Sequence, residues 1–466
     1  MRPMLTRDGV RLRLEHSFDH HELRGSTVEV IGMARSGEAA VDLLLQQGAN
    51  VIAAEQDETK RLALETRFTG KPVRFVFGPH EPMEGIDLIV VSPGVPCTGP
   101  FFEWVEAAEI PVLGELELAG RFCERPLVAV TGTNGKTTVT GMIGHILARC
   151  GLSGDTVGNI GFPLARLVVE GRARGNDPLA VEVSSFQLET IVHFRPHVSI
   201  ITNLAPDHLD RYQSVGDYYE AKTRICMNQT PEDYVWIGPG VAEERHPVSR
   251  AMIRAFDVQE CDIDGLCELS GTLFYRTGGV KEPVHIPGWE NQLVQARLNA
   301  MAAAGAASSV GVPIRTALQA LSDYKPPRHR LEFVGRVADI DCYNDSKATN
   351  VHATLAALRS VPAPIILIAG GRHKGDALGP LIPLIREKVR HIYLLGEAAE
   401  RFAEAWQPHV GVSLVRDVRE AVRRALKEQK GPATLLLSPA CASWDMYKNY
   451  EERGDEFAQA VKEADP

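Results

Sequence analysis

A chain of 466 residues, 44% of them apolar and 24% charged, is too long for one hydrophobic core, which rarely grows past roughly 250–300 residues, so two or three domains are expected. The net charge of −10 and the lack of a long basic run exclude the electrostatic surface of a nucleic-acid binder. The eight cysteines form no C-x-x-C pair, so we expect free thiols. Residues 1–24 lack the apolar core of a secretory signal, and no stretch reaches the roughly 18 apolar residues of a membrane span. We therefore expect a soluble, cytoplasmic protein.

The first part of the chain shows the pattern of a Rossmann-like unit. A β-type run, a glycine turn, a helix and a second β-type run follow one another over residues 27–31, 32–37, 38–47 and 50–54. Glu55 follows the turn at a spacing that suits a ribose contact. Ala34 stands where the dinucleotide fingerprint has its second glycine, so a nucleotide portion is favoured over a full dinucleotide, and a plain tight turn is the alternative. A further β-type run over 87–91 leads into the turn Ser92–Gly94.

The strongest local signal is the segment Gly132–Thr137, which lies between a buried-strand pattern over 126–131 and a helix. That helix has one apolar stripe, formed by Val139, Met142, Ile143, Ile146 and Leu147. A glycine loop in this setting exposes backbone N–H groups beside the positive end of a helix, and together they bind phosphates. Lys136 can reach the outer phosphates, and Thr137 can hold Mg²⁺. Val130 replaces the first glycine of the standard pattern, so the sequence predicts a shortened phosphate loop, with a plain strand-to-helix turn as the alternative.

Two more polar segments follow predicted strands. Glu182 lies at the end of the strand over 179–183, where open α/β sheets place ligands, so it can bind the metal of the phosphate loop; a surface carboxylate is the alternative. Asp207 and His208 follow a later strand and offer adjacent oxygen and nitrogen ligands for a second metal, against the alternative of a hydrogen-bonded histidine. From the residues alone, Lys222 is expected to be a solvated or salt-bridged residue on a helix face.

The last part of the chain repeats the α/β pattern beyond a linker that the paired prolines at 326–327 predict. Polar segments follow β-type runs there at residues 344–350, 370–375 and 438–445. Because ligands bind at the carboxyl ends of strands in open α/β sheets, we expect the three segments to form one binding face.

The alternation of β and α segments predicts an α/β protein with mainly parallel, helix-covered sheets. We expect three domains: a Rossmann-like domain over 1–113, a central phosphate-loop mononucleotide-binding domain over 114–326, and a Rossmann-like C-terminal α/β domain over 327–466.

Together these motifs resemble the Mur ligase family, and within it the branch that adds D-glutamate. The resemblance runs from residue 25 to the end, and its most discriminating strings are residues 182–189, 344–350 and 437–443. Sister ligases that add L-alanine or the third residue, and folylpolyglutamate synthases, share the phosphate loop but carry different strings in the last domain. The resemblance implies a monomeric, ATP-dependent ligase that joins D-glutamate to UDP-N-acetylmuramoyl-L-alanine in peptidoglycan precursor synthesis.

The resemblance also implies roles for individual residues. The implied ATP-binding residues are Gly132, Thr133, Asn134, Gly135, Lys136, Thr137, Thr138, Asn299, Arg330 and Asp345. The implied ligands of two Mg²⁺ ions are Thr137, Glu182, His208 and Lys222, with Lys222 carbamylated. The implied UDP-sugar contacts are Arg35, Ser36, Glu55, Ser92, Pro93, Gly94 and Asn159. The implied D-glutamate contacts are Lys347, Thr349, Lys374, Ser443 and Tyr450, and the implied catalytic residues are Lys136, His208 and Lys222.

The chain departs from the family pattern at a few positions. Gln295-Ala296 replaces a His-Asn pair that the family carries just before Asn299, so Asn291 is the alternative adenine contact. Tyr450 stands where the branch often has phenylalanine. At this stage three alternatives stay open: another Mur or folate-adding ligase, a nicotinamide-dependent oxidoreductase built on the glycine turn 32–37, and a nucleotide-binding regulator without activity.

Overall fold

The computed structural model of the protein describes residues 23–159, 161–209, 211–373, 375 and 377–464. It contains three sheets whose strands are mainly parallel and alternate with helices along the chain. The α/β class predicted from the alternating pattern is therefore confirmed. The implied D-glutamate contact Lys374 and the polar residues 1–22 lie outside the described residues.

The first sheet has five parallel strands. Its elements are β1 Thr27–Ile31, α1 Arg35–Gln46, β2 Asn50–Glu55, α2 Arg61–Arg67, β3 Val73–Phe77, β4 Leu88–Val91, α3 Pro100–Ala107, β5 Val112–Gly114 and α4 Glu115–Gly120. The strand order is β3-β2-β1-β4-β5. The order reverses direction between β1 and β4, and open α/β sheets form their ligand crevice at the carboxyl ends of such a strand pair.

The glycine turn after β1 explains why α1 begins at Arg35, three residues before the predicted start. Gly32 has a φ of 87°, a left-handed conformation that glycine adopts without strain, and it turns the chain within a few residues. A Cβ at Gly37 would overlap the carbonyl oxygen of Gly32, so only glycine lets the first helical turn pack this closely on the strand.

The central sheet has nine strands. Its strands are β6 Leu127–Thr131, β7 Thr156–Gly158, β8 Leu179–Glu182, β9 Val198–Ile201, β10 Tyr234–Ile237, β11 Met252–Asp257, β12 Gly265–Leu269, β13 Thr272–Thr277 and β14 Val280–Pro283. Its helices are α5 Lys136–Arg149, α6 Leu164–Val169, α7 Ser185–Leu188, α8 Val215–Thr223, α9 Val241–Arg245, α10 Val294–Ser308 and α11 Ile314–Ala320. The order is β14-β13-β12-β11-β10-β9-β6-β8-β7, parallel except for the pairs β12–β13 and β13–β14. The phosphate-loop strand β6 thus lies between β8 and β9, whose carboxyl ends carry the other two polar segments.

The last sheet has six strands. Its elements are β15 Glu332–Val337, β16 Ile340–Asn344, α12 Val351–Ser360, β17 Ile365–Gly370, α13 Ile382–Lys388, β18 Val389–Leu395, α14 Ala399–Trp406, β19 Gly411–Leu414, α15 Val418–Glu428, β20 Ala433–Leu437 and α16 Tyr450–Ala464. The order is β15-β16-β20-β17-β18-β19, with only the pair β15–β16 antiparallel. The neighbouring strands β16, β20 and β17 place the three predicted polar segments side by side at one edge.

The chain divides into two compact units. The first unit consists of the chain up to Pro287 together with Leu298–Tyr324. The second unit consists of Gly288–Arg297 together with the chain from Lys325 onward. The predicted domain limits at 113 and 326 stay a prediction. All eight cysteines have free thiols, and five of them are buried. Within the described part of the chain, no helix is long and apolar enough to cross a membrane.

Candidate active site

The phosphate loop lies tightly on the carboxyl end of β9. Gly132 has a φ of 135°, and a Cβ there would overlap the Thr202 hydroxyl. The Asn203 side-chain amide bridges the Asn134 backbone, because its Oδ1 accepts from Asn134 N at 3.0 Å and its Nδ2 donates to Asn134 O at 3.0 Å. The Thr202 hydroxyl donates to the same carbonyl at 2.6 Å. These contacts hold the loop in one shape before any ligand binds.

The loop presents a helix N-terminus to a ligand. Helix α5 begins directly after Gly135, and no side chain caps it. The first N–H groups of a helix have no intrahelical partner, and with the helix dipole they attract anions. The Lys136 ammonium donates to Gly132 O at 2.9 Å and to Thr133 O at 3.0 Å, within the loop. A lysine in this position can exchange loop carbonyls for phosphate oxygens.

Lys222 is buried beneath the same loop, and the expectation of a solvated residue is wrong. Its side chain is among the largest that are almost fully buried, with 1% exposure. Its Nζ donates to Gly132 O at 2.8 Å and lies 4.5 Å from the centre of the Tyr218 ring. Burial, and then the nearby Lys136 charge, hold the pKa of Lys222 well below its usual value, although Asp207 opposes this effect. The structure therefore stabilises a neutral amine at the base of the phosphate loop.

Glu182 is buried at the end of β8, so the alternative of a surface carboxylate is wrong. The Asn159 side chain donates to its Oε1 at 3.3 Å, and the Asn159 N–H donates to its carbonyl at 2.9 Å. Glu182 and Asn159, predicted for two different ligands, thus lie in direct contact. Among the described residues Glu182 forms no ion pair, and its backbone pairs with that of Val130 on the strand that leads into the phosphate loop.

His208 occupies a strained turn among aromatic rings. Its φ is 56°, a conformation that costs a non-glycine residue energy and that clusters at functional sites. The ring packs 4.9 Å from Phe186 and 5.9 Å from Tyr218. Its Nε2 lies 3.8 Å from Asp207 Oδ2, and 42% of the side chain is exposed. The turn presents the imidazole to solvent rather than to the core.

The donors near the loop fit Mg²⁺ only in combination with substrate oxygens. Among the described residues, no three His, Cys, Asp or Glu side chains are grouped so that they could hold a metal. Mg²⁺ usually takes one or two carboxylates together with phosphate oxygens and water. Glu182, the Thr137 hydroxyl and a nucleotide phosphate would make such a set, and a carbamylated Lys222 would offer a carboxylate-like ligand for a second ion beside His208.

Polar side chains at the ends of β2 and β4 hold the crevice of the first sheet together. The Ser92 hydroxyl donates to Gly32 O at 2.6 Å and joins the ends of β4 and β1. Glu55 accepts from Met33 N at 2.9 Å and from Asp57 N at 3.0 Å, and Lys60 donates to it at 2.9 Å. Both carboxylate oxygens of Glu55 therefore have protein partners already, so a ribose hydroxyl would have to share or replace one of them.

The remaining predicted sugar contacts border this crevice, except for Asn159. Arg35 is exposed at the start of α1, and its guanidinium donates to Gly161 O at 3.3 Å. Ser36 is half-buried in the same helical turn, Pro93 is half-buried, and Gly94 is exposed. Asn159 lies instead on Glu182, at the carboxyl end of the central sheet.

In the second unit, Arg453 of α16 joins the three polar segments. It is 1% exposed and donates to Ser346 O at 2.8 Å and to Cys441 O at 3.1 Å. It also donates to Gly370 O at 3.5 Å, at the end of the third strand. Sequence patterns held no signal for this residue, because its partners are far away along the chain.

The predicted D-glutamate residues lie around this arginine. Lys347 Nζ lies 5.3 Å from the centre of the Tyr450 ring, and the Tyr450 carbonyl accepts from the Ser346 hydroxyl at 2.8 Å. Ser443 is buried, and Thr349 is half-buried directly before α12. The structure thus brings the described members of this set to one edge of the sheet.

The two candidate adenine contacts differ in environment. Asn299 is buried in the first unit, and a Cβ on Gly135 would lie 3.0 Å from its Oδ1. Asn291 is exposed and belongs to the second unit. Asn299 therefore lies against the phosphate loop, and it supports that loop whether or not it also contacts adenine.

Asp345 is a buried carboxyl whose ionisation costs stability. It accepts from Ser438 Oγ at 3.0 Å and from Leu331 N at 3.2 Å, and burial raises its pKa to about 7. The folded protein therefore binds this proton more tightly than the unfolded chain, so stability falls as the pH rises from about 4 to about 7. Asp345→Asn is expected to stabilise the protein at pH 8 by on the order of 2 kcal/mol, with no gain at pH 4.

Urea unfolding of both proteins at the two pH values measures this difference. Asp341→Asn is the control, because Asp341 lies on β16, the strand that directly precedes Asp345, in a partly exposed ion pair with Arg336. An equal effect of Asp345→Asn at pH 4 and pH 8 would contradict the prediction.

A glycine loop between a central strand and a helix in a mainly parallel sheet, followed along the chain by another α/β sheet, defines an α/β protein of the mononucleotide-binding type. Residues 130–263 match the model of the Mur ligase middle domain, and residues 329–441 match that of the Mur ligase glutamate ligase domain. The chain is 39% identical to a UDP-N-acetylmuramoylalanine--D-glutamate ligase of Trichlorobacter lovleyi, over 95% of this chain and 99% of the relative. It is 38% identical to the ligase of the same name from Geotalea uraniireducens, with the same coverage. The chain belongs to the Mur ligase family.

Solved structures agree with this fold. The chain is similar to MurC from Thermotoga maritima, with a TM-score of 0.53, 19% identity, and coverage of 94% of this chain and 99% of the other. It is also similar to MurF from Acinetobacter baumannii, with a TM-score of 0.58, 15% identity, and coverage of 97% and 94%. At such identities the likeness shows the fold alone. Because the chain belongs to a ligase family, the alternative of a nicotinamide-dependent oxidoreductase, based on the glycine turn at residues 32–37, is wrong.

Proposed function

We propose that the protein joins D-glutamate to UDP-N-acetylmuramoyl-L-alanine at the expense of ATP, in peptidoglycan precursor synthesis. The observation that carries this proposal is the phosphate loop with Lys136 and buried Lys222 on one carbonyl, Gly132 O. Relatives at 38–39% identity over nearly the whole chain are named for this reaction. A MurF of the same fold is described in complex with ADP, which supports ATP as the nucleotide.

The chemistry requires activation of a carboxylate. A carboxylate does not react with an amine at neutral pH because its leaving group is poor. Transfer of the terminal phosphoryl group of ATP to the UDP-sugar carboxylate forms an acyl phosphate. The amine of D-glutamate then attacks the acyl carbon, and phosphate leaves through a tetrahedral intermediate. The protein contributes by positioning three anionic substrates and neutralising their charge.

Residues in and beside the phosphate loop have different roles in binding the phosphates and the metal ions. The α5 N-terminus and Lys136 bind the ATP phosphates. Thr137 and Glu182 would hold one Mg²⁺, and His208 with Lys222 would hold a second. The metal supplies charge neutralisation at the phosphoryl group.

Lys222 is the residue we propose to be carbamylated. Only a neutral amine adds to CO₂, and burial, which lowers the pKa of Lys222, favours the neutral form of its Nζ. Carbamylation converts this amine into an anionic, oxygen-bearing group, which Mg²⁺ prefers as a ligand. The contact of Nζ with Gly132 O supports a position for that group at the base of the phosphate loop.

The other two substrates are assigned to the other two sheets. The crevice between β1 and β4 takes the UDP-sugar, with Arg35, Ser36, Ser92 and Gly94 at its border. The edge formed by β16, β20 and β17 takes D-glutamate, with Lys347, Thr349, Ser443 and Tyr450. Residues 1–113, 114–326 and 327–466 form the corresponding three domains. The enzyme acts as a monomer in the cytoplasm, where ATP is available.

Phosphate release from ATP tests the proposal. The assay contains Mg²⁺, UDP-N-acetylmuramoyl-L-alanine and one amino acid at a time, with D-glutamate, L-glutamate, L-alanine and meso-diaminopimelate compared. We expect release only when the UDP-sugar and D-glutamate are both present. Release with another amino acid would keep the family and overturn the substrate. ATP binding without release for any pair would favour the regulator alternative.

A further inference from the structure

Arg211 joins the two halves of the first unit at their functional edges. Its Nη1 donates to Pro93 O at 3.1 Å, and its Nη2 donates to Glu189 Oε2 at 2.7 Å. The guanidinium lies 4.1 Å from the centre of the Phe186 ring. Only 17% of the Arg211 side chain is exposed. Because its ion pair with Glu189 is partly shielded from water, the attraction between the two charges is stronger than it would be at a fully exposed site.

Each partner of Arg211 belongs to a segment that positions a ligand. Pro93 lies in the loop after β4, at the point where the strand order of the first sheet reverses and a ligand crevice is expected. Phe186 lies on α7 and Glu189 directly after it, a few residues beyond Glu182. On the other side, the Arg211 N–H donates to His208 O at 3.0 Å. The Arg211 side chain therefore contacts the crevice loop and the segment that follows Glu182, and the Arg211 backbone is part of the turn that carries His208.

The contact has a geometry that lysine cannot reproduce. The planar guanidinium donates in two directions at once while stacking on an aromatic ring, whereas an ammonium is a point charge on a flexible stem. A shift of the crevice loop therefore moves the guanidinium, and the guanidinium moves the backbone that carries His208. Since this backbone is already strained at His208, small shifts in its support change the position of the imidazole.

We propose that Arg211 is a positioning residue that couples the ligand crevice of the first sheet to the metal-holding turn at His208. This inference rests on the proposed function, since it takes the crevice ligand to be the UDP-sugar. Mg²⁺ then increases the affinity for the UDP-sugar, and the UDP-sugar increases the affinity for Mg²⁺ by the same factor.

Calorimetric titration with UDP-N-acetylmuramoyl-L-alanine, with and without Mg²⁺, measures this coupling. In the unmodified protein we expect Mg²⁺ to tighten binding of the UDP-sugar by about tenfold. In Arg211→Gln, the two affinities should agree to within about twofold, since the link is lost. Arg211→Lys keeps the charge beside Glu189 and is a second, milder variant, which should lose most of the coupling.

Tyr212→Phe is the matched control. The Tyr212 hydroxyl donates to the other oxygen of Glu189 at 2.5 Å, and within the described part of the chain it has no hydrogen bond to the crevice loop. This variant removes a partner of the same carboxylate, and it should keep the full effect of Mg²⁺. Equal loss of coupling in Tyr212→Phe and Arg211→Gln would show a general disturbance around Glu189 and overturn the inference.

The remaining outcomes separate the inference from the proposed function. Undiminished coupling in folded Arg211→Gln and Arg211→Lys, or no effect of Mg²⁺ in the unmodified protein, would overturn the inference alone. No binding of the UDP-sugar by the unmodified protein would overturn the proposed function, and the inference with it.

Discussion

Replacing Lys136 by alanine is expected to reduce ATP-dependent phosphate release by on the order of 10³-fold or more while the protein stays folded. The loss follows because this ammonium is the cation placed at the start of α5, where the phosphates bind. Its contacts with the carbonyls of Gly132 and Thr133 are partly exposed, so their loss should cost only about 1 kcal/mol of stability. Coupled-assay kinetics and thermal unfolding measure the two effects.

Lys427→Ala serves as the control for Lys136→Ala. Lys427 is an exposed lysine on α15, far along the chain from the phosphate loop. It should leave both the rate and the melting temperature unchanged. A Lys136→Ala enzyme within tenfold of the unmodified rate would refute the assignment of the phosphate loop.

Replacing Lys222 by methionine is expected to have two opposite effects: activity falls by at least about 10²-fold, and stability at neutral pH rises. Activity falls because the variant cannot form a carbamate ligand. Stability rises because the folded state disfavours the protonated amine: between the lowered pKa and the usual value of 10.5, the unfolded chain binds more protons. The gain, on the order of 1 kcal/mol at pH 7, should shrink as the pH approaches 10.5.

Unfolding in CO₂-depleted buffer at pH 7 and pH 10 measures the stability effect, with Lys427→Met as the exposed-lysine control. Carbon-13-labelled CO₂ should give a carbamate signal in the unmodified protein that is absent from Lys222→Met. A Lys222→Met enzyme with full activity would contradict the carbamylation proposal. A stability difference that is the same at both pH values would contradict the account of the buried amine.

The sequence predicted the elements that carry the site with small errors at their ends. The strand over 27–31 is observed as predicted, and the strand predicted over 179–183 ends at Glu182. These elements were readable because apolar runs bounded by glycine turns are local signals. The phosphate loop was readable for the same reason, since strand, glycine loop and helix follow one another within one short segment. The start of α1 was missed by three residues because Gly32 completes its turn sooner than the glycine pattern suggests.

The sequence did not predict which individual charged residues are buried. Helix α8 gave no sign that Lys222 lies under the phosphate loop, because the covering residue, Gly132, is 90 positions earlier in the chain. The partners of Arg211 and Arg453 lie 118 and 107 positions away, and periodicity over a short window cannot register such pairs. The sequence also did not predict that both carboxylate oxygens of Glu55 accept hydrogen bonds from backbone N–H groups. The spacing from the glycine turn identifies Glu55 but not its hydrogen-bond partners.

The sequence by itself determined the class of fold, the order of strands and helices along the chain, and the strand–glycine loop–helix arrangement at residues 127–149, since each depends on neighbours within a few residues. Only the tertiary structure decided which strand ends meet: β8 and β9 beside β6 in the central sheet, and β16, β20 and β17 in the last. Strand order depends on how the crossover helices pack on a sheet, which no local pattern encodes. Burial followed from that packing, and burial lowers the pKa of Lys222 and raises the pKa of Asp345.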